Sequence, residues 1–63
     1  MTILFVDEQL SPLSSTTAAE PPHVGDQVQW NQAAYLVLAV RRYYAGTHEP
    51  LYDARVVVQP IED

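Results

Sequence analysis

Tyr35-Leu36-Val37-Leu38-Ala39-Val40-Arg41-Arg42-Tyr43-Tyr44 is the stretch that decides the fold. Its β-branched and aromatic residues suit a pleated ladder, and nothing in it approaches a helical stripe. Successive side chains of a strand point to opposite faces, so Tyr35, Val37 and Ala39 share one side and Leu36, Leu38 and Val40 the other. Both sides are apolar. A strand of that kind belongs in the middle of a sheet, covered on both faces.

Two further runs flank it, Val24 to Trp30 (VGDQVQW) and Leu51 to Ile61 (LYDARVVVQPI), joined through residues 31–34 and 45–50. Both connections have hairpin length, and the simplest topology is an antiparallel meander. Folding the middle run onto the last sets Tyr43 opposite Tyr52, Arg42 opposite Asp53, Ala39 opposite Val56 and Val37 opposite Val58. Folding the first run onto the middle sets Trp30 opposite Tyr35 and Val28 opposite Val37. One face then collects Val24, Val28, Trp30, Tyr35, Val37, Ala39, Tyr43, Tyr52, Ala54, Val56 and Val58, and that face is the expected core. The other face carries Leu36, Leu38, Val40 and Val57 among Gln27, Gln29, Arg42, Asp53 and Arg55. Those aliphatics need cover, from curling into a barrel, from the N-terminal segment, or from a second molecule.

The chain divides into residues 1–10, a short β-prone segment around Thr2–Val6; residues 11–23, a Ser/Thr/Pro-rich linker; and residues 24–63, the small β domain. In Ser11–Pro22, prolines block regular ladders and hydroxyl side chains compete for backbone hydrogen bonds, which is linker chemistry. The expected fold class is all-β: a small antiparallel meander or SH3-like barrel of three to five strands, with a flexible N-terminal segment.

The opening of that domain resembles a known superfold. Val24, Gly25, Asp26, Val28 and Trp30, followed by Tyr35, Val37 and Val40, are similar to the start of SH3-like small barrels of the KOW and Tudor types. The resemblance implies a barrel-like fold and a role in binding proteins or nucleic acids, since members of that superfold are rarely enzymes. The chain departs from true SH3 domains in lacking an acidic loop followed by a Trp-Trp pair, so PxxP recognition does not carry over.

Composition sets further bounds. The chain has 63 residues, no cysteine, eight acids against three arginines and no lysine, for a net charge of −5. A chain of this size buries only ~60% of its unfolded surface when it folds alone, and no disulfide or thiolate metal site can add stability. With 48% hydrophobic and 17% charged residues it is globular in composition. The negative charge argues against nucleic acid and anionic lipid as partners. Ile3–Val6 is too short an apolar run for a signal peptide or a membrane span, so no membrane association is expected and the default location is cytoplasmic.

The chemical constellations are sparse. His23 and His48, with Glu49 and Asp53 as conceivable helpers, lack metal-site spacing, and neither histidine has a positioned carboxylate for acid–base work. Ser11, Ser14 and Ser15 lie in the linker, two glycines cannot build a phosphate loop, and the core leaves little room for a pocket. Gly46 suits a turn, and Glu62-Asp63 suit the protection of a strand edge. No catalytic residue, cofactor or metal is implied. The expected function is a non-catalytic protein–protein interaction module, an accessory subunit, adaptor or regulator, whose partner is another protein or a second copy in a homodimer. The candidate contact residues are Leu36, Leu38, Val40, Tyr44, Leu51 and Val57. Two alternatives stand beside it: a nucleic-acid-binding small barrel using Arg41, Arg42, Arg55 and nearby tyrosines, and an acidic inhibitor of a nucleic-acid enzyme.

Overall fold

A computed structural model of the chain describes residues 1–42 and 52–61. Within them the protein is all-β, with five strands: β1 (Thr2–Val6), β2 (Pro12–Thr17), β3 (Gln27–Trp30), β4 (Ala33–Arg42) and β5 (Ala54–Pro60). They form one sheet in the order β2-β1-β5-β4-β3. Three pairings are antiparallel, and β1 runs parallel to β5.

The β3–β4 hairpin is tighter than the sequence suggested. Asn31 and Gln32 both take left-handed backbone angles, φ 51° and 65°, as a two-residue hairpin turn demands. Trp30 therefore faces Ala33, and Val28 faces Tyr35. The two-residue offset from the expected register leaves every side chain on its expected face, because strand periodicity is two. Tyr35 becomes the diagonal neighbour of Trp30, and their rings stack 7° from parallel with centroids 4.1 Å apart. Val24 lies outside β3 and is 65% exposed, not in the core as expected.

Between β4 and β5 the expected register holds at Val37 opposite Val58, then shifts by one at a β-bulge. Leu38 and Ala39 together face Val57, and the ladder resumes with Val40 opposite Val56 and Arg42 opposite Ala54. Beyond the bulge the two faces exchange. Ala39 is exposed, whereas Val40 packs against the core. The expected Arg42–Asp53 and Ala39–Val56 pairs are lost for the same reason.

The N-terminal part is built into the sheet. Ile3 and Phe5 join Val37, Ala54, Val56 and Val58 in the buried cluster, with Val28, Trp30, Tyr35 and Val40 packed against it. The start of β1 is clipped to β5: the Asp53 N–H donates to the Thr2 carbonyl at 2.8 Å, and the Thr2 N–H donates to Asp53 Oδ2 at 2.7 Å. The stretch expected as a linker supplies β2, an edge strand on β1. The turn between them is closed by the Asp7 carboxylate, whose Oδ1 accepts from the Gln9 and Ser11 N–H groups, both at 2.9 Å. Once that turn forms, Ser and Thr are good strand residues and Pro12 sits at the strand's first position, where no ladder donor is needed.

The sheet curls into a half-barrel. In a flat sheet β1 and β3 would lie about 14 Å apart, three strand spacings. Instead the Phe5 and Trp30 rings meet with centroids 4.9 Å apart. Between the two edge strands the wall stays open, with Pro21 buried beneath it.

Candidate interaction surface

The faces of β4 and β5 differ sharply in cover. On the concave face Val37, Val56 and Val58 are 1% exposed or less. On the convex face Leu36, Leu38 and Val57 are half-buried, as is Leu4 of β1. Val6, aligned with Val57, is buried but stands apart from the concave cluster. Leu38 keeps the face that alternation with Leu36 gives it, and the bulge brings Ala39 beside it opposite Val57. Of the expected contact residues, the structure thus brings Leu36, Leu38 and Val57 onto one face and turns Val40 to the other. Tyr44 and Leu51 lie outside the described residues. Leu4 escaped the sequence reading, because only the β1–β5 pairing reveals that it shares this face.

Beside the aliphatic patch, Arg41 faces Arg55 directly across the β4–β5 ladder. Like charges set opposite each other destabilise a sheet. Arg55 is half-buried, and its Nε is buried with no hydrogen-bond partner among the described residues. Arg42 falls on the concave side, where it borders a groove of about 270 Å³ with Glu20, His23 and Val40. The three arginines do not form one patch.

The carboxylates near these groups hold the backbone. Asp7 and Asp53 close the contacts described above, and Asp26 Oδ2 accepts the His23 N–H at 2.9 Å. Asp26 Oδ2 also lies 3.8 Å from His23 Nδ1, with the imidazole 81% exposed. Among those residues no three His, Cys, Asp or Glu side chains converge as a metal site would require. His48 and Glu49 lie outside them, as do Tyr43, Gly46, Glu62 and Asp63.

The sequence left little room for a concave site, yet the open barrel wall creates clefts. One of about 410 Å³ lies between β2 and β3, bordered by Phe5, Ser14, Thr16, Val28 and Trp30. Another of about 350 Å³ lies below it near Ile3, Pro21 and His23. They hold aromatic, aliphatic and hydroxyl side chains, with the titratable groups confined to the exposed loop at the lower end. Among the described residues no helix is long and apolar enough to cross a membrane.

The class defined by these features is a small all-β half-barrel with one packed face and one partly covered apolar face. Comparison with family models, with curated proteins and with solved structures finds no match to the chain.

Proposed function

We propose that this protein is a non-catalytic interaction module, an accessory or regulatory subunit that docks through the convex face of β4 and β5. The observation that carries the reading is the partial cover of Leu36, Leu38 and Val57 on strands whose opposite face holds the fully buried Val37, Val56 and Val58. A partner that buried these side chains would gain roughly 25 cal/mol for each Å² of apolar surface removed from water.

The neighbouring charges narrow the partner's chemistry. Arg41 and Arg55 face each other at a cost to the sheet, and the Arg55 Nε is left without a partner among the described residues. A carboxylate placed between the two guanidiniums would relieve both penalties. The proposed partner is therefore a protein surface presenting aliphatic side chains beside an Asp or Glu. The half-barrel curl and the Val24–Trp30 opening support kinship with SH3-like small barrels, a superfold given mostly to binding. A cytoplasmic setting is the matching proposal for location.

The test is capture with the wild-type chain as bait, set against the Leu38→Ser/Val57→Ser double variant. A specific partner is expected to be retained by the first and lost by the second, with the variant still folded by circular dichroism.

A further inference from the structure

The two edges of the sheet are protected very differently. β3 is four residues long, with Asp26 before it and a tight turn after it. β2 is six residues long, is almost wholly exposed, and has proline only at its first position. Natural edge strands discourage pairing with charge, interior proline, bulges or brevity. Residues 14–17 have none of these, since the register shift against β1 falls at the Pro12 end. From Gln9 to Ala19 the sequence carries no charge, although the chain as a whole carries eight acids.

The ladder itself says which groups are free. Met1 and Ala18 exchange both main-chain hydrogen bonds, at 2.6 and 3.0 Å. In an antiparallel pair such closely bonded residues alternate with unbonded ones. Ile3–Thr16 and Phe5–Ser14 are therefore the next bonded pairs, and the N–H and C=O groups of Ser15 and Thr17 point away from β1. They form a short, regular, uncharged edge facing water.

We propose that two copies of this chain pair through β2, antiparallel about a two-fold axis at Thr16. Ser15 of each copy then lies opposite Thr17 of the other. Those two pairs exchange four main-chain hydrogen bonds, using all the outward groups of both residues. Thr16 meets its own counterpart across the axis, where threonine pairs are favourable. The paired strand, Pro12–Thr17, carries no acid, so no acid of one copy faces an acid of the other along the ladder. A second copy suits the edge because an uncharged strand lets two chains of net charge −5 approach where neither is negative. The two half-barrels join into one continuous ten-stranded sheet. This pairing is independent of the convex face.

Sedimentation of the full chain tests it, over concentrations up to about 1 mM so that a weak contact registers. The wild type is expected to shift from monomer to dimer as concentration rises. Ser15→Pro removes an outward N–H and spares the β1 ladder, so it should stay folded and weaken the dimer about tenfold or more. T16K and T16E each set like charges across the axis and should be monomeric, whereas an equimolar mixture should recover the dimer as a heterodimer. A monomeric wild type would overturn the proposal, as would a dimer untouched by S15P and T16K in folded protein. A dimer lost in L38S/V57S but kept in S15P would also overturn it, by placing the contact on the convex face and leaving the proposed docking surface intact.

Discussion

Val56 and Val57 are neighbours in one strand, yet they sit in two different environments. Val56 is fully enclosed against Ile3, Phe5 and Val37, while Val57 is half-covered among Leu38, Ala39 and Val6. The concave face is where this small chain gathers the apolar burial that offsets its conformational entropy. The convex face holds side chains of the same kind without completing their cover. Apolar sequence on both sides of a strand therefore has two outcomes here, closed burial for Val37, Val56 and Val58 on one face and partial cover for Leu36, Leu38 and Val57 on the other.

The largest effect that tests this contrast comes from removing the N-terminal strands. A chain beginning at His23 loses Ile3 and Phe5 from the concave cluster and uncovers Ala54 and Val56. It is expected to be unfolded, with a disordered circular dichroism spectrum and no cooperative melt. A folded fragment would show that the concave face is complete without β1.

Next in size is the pair Val56→Ala and Val57→Ala. Deleting the same two methyl groups should cost about 2 kcal/mol at Val56, from lost transfer energy and a cavity. At Val57 the cost should be about 0.5 kcal/mol, in the range of surface changes. Urea unfolding of the two variants measures the difference directly, and equal losses would erase the distinction between the faces.

The smallest effect lies in the β3–β4 turn. Gln32 holds φ 65°, a conformation glycine adopts without steric cost. Gln32→Gly converts the turn to Asn-Gly, the preferred pair, and should raise stability by about 0.5–1 kcal/mol in a thermal melt. The gain is local and should leave both faces as they are.

These comparisons also show which parts of the fold were legible in the sequence. Alternation around Val37, Val56 and Val58 was readable, because burial on one face leaves a period-two signature. The bulge at Leu38 was not, since a single unpaired residue changes no composition, yet it moved Val40 and Ala39 to opposite faces. The strand in Pro12–Thr17 was hidden by its own chemistry. Pro, Ser and Thr read as linker until the Asp7 carboxylate is seen to close the turn that precedes them. The pairing of β1 with β5 joins residues about fifty positions apart, which local patterns do not encode. For the contact surface, Leu36, Leu38 and Val57 were legible as apolar residues on a second face. Leu4 and the facing of Arg41 on Arg55 required the topology and the bulge.

The most direct test of the central claim is a calorimetric titration of the captured partner, purified, into the wild-type chain and into Leu38→Ser/Val57→Ser. Leu38 and Val57 are already half-buried, so completing their burial at roughly half of the ~1.5 kcal/mol or more of a fully exposed aliphatic side chain predicts a loss of about tenfold or more in affinity, with the variant still folded. Equal affinity for the two folded proteins would contradict the assignment of the convex face to a partner.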